Sequence, residues 1–258
     1  MMKKIVVLLI AVVGWTNVAD LQAQDPVPTR IVVRAKAHDA KFIGTSMGGV
    51  VVAIRKAKTG ALLAQGSIEG STGDTQLLMK QPHERGTQLS RGEAAKFDTT
   101  LMLQEPVLAT IEAKGPMNQP QSSIITSTQV WLIPGKHIEG DGIILDFPGF
   151  AVDIMEPRAH QLFKKGQDVP IKANVVMMCG CPTRPGGLWD SKRYEMEAWI
   201  YKNQELVDKV PMEFSGQTSL YDGTYTPRNP GTYEVHLVVY DQDVNNTGVD
   251  RTTFIYAE

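Results

Sequence analysis

Val169-Pro170-Ile171-Lys172-Ala173-Asn174-Val175-Val176-Met177-Met178-Cys179-Gly180-Cys181-Pro182 is the stretch that decides the fold class. Ile171, Ala173, Val175 and Met177 fall on one side of an extended chain, and Lys172, Asn174, Val176 and Met178 fall on the other. That period of two belongs to a half-buried β-strand. The strand ends where Cys179-Gly180-Cys181-Pro182 opens a loop running to Asp190.

The same pattern recurs outward in both directions. Downstream, Tyr194 to Tyr201, Glu205 to Val210, Gly223 to Tyr225, Tyr233 to Tyr240 and Thr252 to Tyr256 read as short strands separated by turn residues, and Ile154 marks one upstream. Their spacing is that of an antiparallel sandwich. Earlier still, Ile31, Val33, Ala35 and Ala37 alternate with Val32, Arg34 and Lys36, and Val50 to Ile54 leads through Lys58-Thr59-Gly60 into Ala61 to Gln65. Phe97 to Leu103, Val107 to Ala113, Ile124 to Ile133 and Ile143 to Asp146 complete this first set. The polar stretch between Gly70 and Gly92 reads as a long loop, with a short helix near Arg91 to Lys96. No period of 20 to 50 residues recurs, which argues against a solenoid or propeller. The expected architecture is all-β: two antiparallel β-sandwiches in tandem, over residues 24–151 and 152–258, joined near Gly149 to Pro157.

Two segments carry resemblances. Gly49-Val50-Val51-Val52-Ala53-Ile54, followed by Thr59-Gly60-Ala61-Leu62-Leu63-Ala64-Gln65-Gly66, resembles the opening hairpin of transthyretin-like or carboxypeptidase-regulatory-like modules. Asn229-Pro230-Gly231-Thr232-Tyr233-Glu234-Val235 resembles the corner tyrosine before a late strand of immunoglobulin-like and fibronectin-like domains. That resemblance implies a structural role for Tyr233, whose hydroxyl would tie back to nearby backbone.

The N-terminus sets the expected compartment. Lys3 and Lys4 precede an apolar run from Ile5 to Trp15, and Leu21-Gln22-Ala23 resembles a signal-peptidase site. Residues 1–23 therefore read as a cleaved signal peptide, and a periplasmic or secreted location follows. The run is shorter than the ~20 apolar residues a spanning helix needs, so no membrane span is expected in the mature chain. Hydrophobic residues make up 42% and charged residues 21%, enough to build a core, while the formal net charge of -2 offers nothing to attract nucleic acid.

Chemical information concentrates at the cysteines. The chain has two, one residue apart, in a compartment where disulfides persist. Cα atoms at i and i+2 of an extended chain reach the roughly 4.4 to 6.8 Å a disulfide wants, so a local disulfide is one reading, inert or redox-active. Soft sulfur ligands select Cu(I), so Cys179 and Cys181, with Met178 or Met177 completing a trigonal site, are the other. Two cysteines do not make a closed structural zinc site, which needs four ligands. The redox reading lacks the Cys-x-x-Cys spacing and βαβ context of that class.

Other candidates are weaker. The five histidines, His38, His83, His137, His160 and His236, form no pair at metal-ligand spacing; only the fold could bring His160 near the cysteine loop. Asp241-Gln242-Asp243-Val244-Asn245-Asn246-Thr247-Gly248 resembles a calcium loop, but Asn246 and Thr252 stand where that loop needs Gly and Glu. A hairpin turn explains it better, and calcium is not expected. No nucleophile elbow, His-Glu-x-x-His, phosphate loop or Rossmann fingerprint occurs. Asp39 beside His38 and the carboxylates of Glu139-Gly140-Asp141-Gly142 read as loop chemistry, so no enzyme is expected. Two functions stand nearly level: an extracytoplasmic binding or accessory protein taking Cu(I) through the Met-Met-Cys-Gly-Cys loop, and a structural or adhesive module with a protein partner and a local disulfide. A thiol-disulfide redox protein comes third. The loop continues through Thr183-Arg184-Pro185-Gly186-Gly187-Leu188-Trp189, whose tryptophan reads as exposed and available for binding.

Overall fold

The computed structural model describes residues 25–258; the signal peptide read from residues 1–23 lies outside the described residues. The first sandwich is built from β1 (Val27–Ala37), β2 (Val50–Lys56), β3 (Leu62–Ile68), β4 (Phe97–Leu103), β5 (Val107–Gly115), β6 (Ile124–Leu132) and β7 (Ile138–Phe147). One of its sheets has the order β3-β2-β5-β6 and the other β4-β1-β7, with β1 and β7 parallel. Alternation does the sorting. In β5 the residues Val107, Ala109, Ile111 and Ala113 are all buried, while Glu112 and Lys114 are exposed.

The second sandwich follows after only Pro148 and Gly149. Its strands are β8 (Phe150–Glu156), β9 (Gln161–Lys164), β10 (Val169–Met177), β11 (Thr183–Arg184), β12 (Trp189–Asp190), β13 (Tyr194–Lys202), β14 (Glu205–Pro211), β15 (Glu213–Phe214), β16 (Leu220–Tyr225), β17 (Gly231–Asp241) and β18 (Asn246–Ala257). One sheet runs β15-β16-β10-β8 and the other β14-β13-β17-β18-β9. The first strand is split between the sheets, β8 pairing antiparallel with β10 and β9 pairing parallel with β18. This is the strand order of an immunoglobulin-like sandwich, with β8, β10, β16 and β15 as the A-B-E-D sheet and β13, β17 and β18 as C-F-G. Tyr233 is its corner tyrosine. The hydroxyl donates to the Asn229 carbonyl at 2.6 Å, and the ring stacks on Phe254 with centroids 4.9 Å apart.

One local expectation needs correction. The short helix is α1 (Thr75–Met79), whereas Arg91 to Lys96 forms a turn followed by bridges to Glu69 and Ser71. Asp74 explains the choice: its carboxylate accepts from the amides of Gln76 and Leu77, and Leu77 and Leu78 are buried. The segment after α1 is pinned by charge. Asp141 accepts from the amides of Leu89 and Ser90, and the buried Arg34 guanidinium donates to the carbonyls of Ala94 and Ala95.

The buried apolar residues of both sandwiches merge into one cluster. Met47, Phe147, Phe150, Val152, Met178 and Trp189 belong to it where the two halves meet.

Candidate functional site: the Met-Met-Cys-Gly-Cys turn

The inward face of β10, Val169, Ile171, Ala173, Val175 and Met177, is buried throughout. After Met177 the chain reverses within four residues. The Gly180 amide donates to the Met177 carbonyl at 2.7 Å, the Met177 amide donates to the Cys181 carbonyl at 3.0 Å, and Pro182 bridges back to Val176. Gly180 takes φ +76°, the left-handed conformation that glycine enters without cost from a Cβ. The turn brings the Cys179 and Cys181 Cα atoms to 5.4 Å, and the two sulfurs are joined as a disulfide. Both residues are buried, 1% and 4% exposed.

The two methionines beside them diverge, as the period of two requires. Met177 points into the second sandwich, where its sulfur receives the Tyr194 hydroxyl at 3.9 Å. Met178 instead lines a small cleft between the sandwiches, along with Ser122, Ser123, Phe150 and Thr247. A third methionine, not singled out from the sequence, takes the place beside the turn: the Met47 sulfur lies 2.7 Å from where a Cβ on Gly180 would stand. Met47 ends a single 3-10 turn of the first sandwich, Thr45–Met47. No local periodicity links residue 47 to residue 180, so only the fold could reveal this neighbour.

The rest of the loop is tied down on every side. The Thr183 hydroxyl donates to the Val175 carbonyl at 2.6 Å and lies 2.9 Å from the Tyr221 hydroxyl. Asp190 caps the turn Ser191–Arg193, accepting from the amides of Gly186 and Lys192, and these bonds hold its carboxyl below the usual range. Trp189, expected to be exposed, is 5% exposed, and its indole N–H donates to the Asp39 carbonyl of the first sandwich at 2.9 Å. Burying the indole against the other sandwich covers far more apolar area than leaving it on the surface, which is why the expectation fails.

Arg193 closes the junction. Its guanidinium lies 3.2 Å from the buried Asp241 carboxylate, 3.7 Å from Asp243 and 4.0 Å from Asp39. Burial is the largest single influence and opposes the charge on Arg193, but Asp241, Tyr194 and Asp243 together more than offset it and the guanidinium is held more firmly protonated. Burial also raises the Asp39 carboxyl above the ordinary aspartate value, with the Arg193 charge pulling the other way. Beneath them, Asn246 accepts from the Gly149 amide at 2.7 Å and donates to the His38 carbonyl at 3.2 Å. Asp241 to Asn246 is therefore the β17–β18 hairpin turn, and its first carboxylate is engaged by arginine.

The histidines find partners other than the cysteine turn, His83 at the Leu77 carbonyl and His137 at the Arg30 amide among them. His160 sits against Thr253, at the far end of β18 from the junction, and His38 is paired with Asp146 at 2.7 Å. His236 pairs with Glu234 at 2.5 Å and lies against the Tyr201 ring. Among the described residues, no three His, Cys, Asp or Glu side chains converge to hold a metal ion, and no helix is long and apolar enough to cross a membrane.

Fold and site together define a class: a tandem β-sandwich protein whose second half is immunoglobulin-like and whose cysteine turn lies in the seam between halves. No family model matches the sequence, and no curated protein matches it. Among solved structures the chain is similar to fibronectin(III)-like modules of Clostridium thermocellum CbhA, at 9% identity over 89% of this chain and 94% of that one, with a TM-score of 0.30. It is similar to titin domains I67–I69 at 10% identity, covering 90% of this chain and 66% of that one, with a TM-score of 0.27. An engineered protein matches 46% of this chain at 13% identity and a TM-score of 0.33, and the chain spans 22% of that protein's length.

Proposed function

We propose that this is an exported, non-catalytic interaction module, in which the Cys179–Cys181 disulfide is a local staple that shapes the seam between two sandwiches. The observation that carries this reading is the burial of both cysteines, with Met47 of the first sandwich packed against the Gly180 that lies between them. A buried disulfide in a loop anchored by Trp189, Thr183 and Asp190 serves rigidity rather than exchange, because thiol attack on sulfur requires access. The finer assignment of the first half as transthyretin-like rests on the β2–β3 hairpin, which occupies the segment carrying that resemblance. Replacing both cysteines by serine tests the staple. The double variant should unfold at lower temperature and gain local hydrogen exchange over residues 177–190, while the β13, β17 and β18 amides keep their protection. Unchanged exchange across the loop would remove the structural role.

A second reading, Cu(I) carriage, is favoured by the sulfur of Met47 beside the turn. Cys179 and Cys181 as thiolates, with Met47, Met178 or Met177 as the third donor, form the soft set that selects Cu(I). Ligation and the disulfide exclude each other, so this function belongs to the reduced protein. Titrating reduced protein with Cu(I) against a competing chelator separates the readings: one equivalent bound, and lost in the double serine variant, supports carriage, whereas no uptake leaves the staple.

A further inference from the structure

Sheet edges are where a β protein must defend itself, because an unpaired row of N–H and C=O groups is a template for another strand. Several edges here are blunted. β14 carries Glu205, Asp208, Lys209 and ends at Pro211. In β7, Gly140 and Gly142 at φ +68° and +67° break the extended line on either side of charged Asp141, next to Glu139. The Val152 carbonyl of β8 is taken by Gln121 and Ser122. The uncharged β3 contains Gly66, over which the Phe97 ring lies.

β6 has none of these devices. Ile124-Ile125-Thr126-Ser127-Thr128-Gln129-Val130-Trp131-Leu132 contains no charge, no proline and no glycine. It pairs with β5 in unbroken register from Gly115 opposite Ile124 to Val107 opposite Leu132, so it has no bulge to twist it away. Among the described residues no strand pairs with its other side. Its outward side chains include Ile125 and Trp131, each 60% exposed, at opposite ends of the strand.

We propose that β6 is a self-pairing edge: it docks antiparallel on β6 of a second copy, with the two-fold axis at Thr128. The sequence is complementary to its own reversal in that register. Ile125 falls opposite Trp131 of the second copy, Ser127 opposite Gln129, and Thr128 opposite itself. The symmetry produces the Ile–Trp contact twice, and aromatic against β-branched is among the favourable cross-strand pairs. Each exposed apolar side chain thereby meets the other, and two four-stranded sheets become one of eight strands. A charged or helical partner finds no matching feature on this edge, whereas a second β6 supplies both the backbone pattern and the outward pair. This inference does not depend on the role given to the cysteines.

Sedimentation of the purified protein from micromolar to millimolar concentration tests it. The wild type should pass reversibly from monomer to dimer. Replacing both outward central residues, Ser127→Lys with Gln129→Lys, sets lysines against lysines across the axis and should raise the dimer dissociation constant at least about tenfold. Ser127→Glu with Gln129→Glu should do the same. Both positions face outward, so at low concentration, where the wild type is monomeric, each variant should keep the wild-type thermal midpoint, and an equimolar mixture of the two should form a heterodimer. A wild type that stays monomeric overturns the proposal. A dimer that survives both charge variants overturns it as well, by placing the contact on another surface, and so does a mixture that fails to associate.

Discussion

The indole N–H of Trp189 donates to the main-chain carbonyl of Asp39 at 2.9 Å, across 150 residues of sequence and from one sandwich to the other. With Arg193 beside Asp39 and Asn246 beneath His38, it makes the seam a packed and hydrogen-bonded interface. Trp189→Phe keeps most of the buried ring but leaves the Asp39 carbonyl without its donor, and should cost about 1 kcal/mol. Trp189→Ala also opens a cavity and should cost about 3–5 kcal/mol. Calorimetry should show one transition for the wild type and two for Trp189→Ala, because the halves then unfold separately. A single unshifted transition in both variants would mean that the seam contributes nothing to stability.

Tyr233→Phe should cost about 1 kcal/mol, since the Asn229 carbonyl loses a 2.6 Å hydrogen bond. The stacking on Phe254 survives, so the native fold should persist with a melting midpoint several degrees lower. Denaturant melts of the two proteins with equal slopes and separated midpoints are the expected result.

The strands were legible because their signal is local. β4 runs over Phe97–Leu103 and β10 over Val169–Met177, the bounds that alternation and turn residues give. β9, β11 and β15 were not legible: each has four residues or fewer, too few for alternation to show, and β9 exists because the distant β18 lies alongside. The same physics separates the readable and unreadable parts of the site. Period two sends Met177 and Met178 to opposite faces, and closeness in sequence makes a Cys179–Cys181 bond one of two sensible outcomes. Nothing local announces Met47, nor that a glycine-rich loop buries its tryptophan. Those facts belong to contacts between residues more than a hundred positions apart.

Asp98 should govern part of the acid limb of stability. Its carboxylate accepts from Arg30 Nε at 2.9 Å and Nη2 at 2.6 Å and from Lys96 Nζ at 2.9 Å, and the Arg30 bonds hold its pKa well below the aspartate range. A depressed folded pKa means stability that is present above the unfolded value near 3.8 and lost as pH falls through the folded one. Asp98→Asn should therefore be less stable by about 1 kcal/mol at neutral pH, as befits a partly exposed pair. The gap to wild type should close progressively below pH about 4. A gap that stays constant down to pH 2 would assign the loss to packing and not to charge.

Gly180 and Met47 should be energetically coupled. Alanine at 180 must hold φ +76° with a Cβ, which costs on the order of 1 kcal/mol or more, and that Cβ would stand 2.7 Å from the Met47 sulfur. The two penalties have different cures. Met47→Ala removes the collision and leaves the backbone strain, so Gly180→Ala should be milder in a Met47→Ala background than in the wild type, yet still destabilising. The four proteins form a double-mutant cycle measured by urea unfolding, with an expected coupling between about 0.5 and 3 kcal/mol for residues in contact. Strict additivity would show that Met47 does not press on the cysteine turn, and would leave both the staple and the Cu(I) readings without their link to the first sandwich.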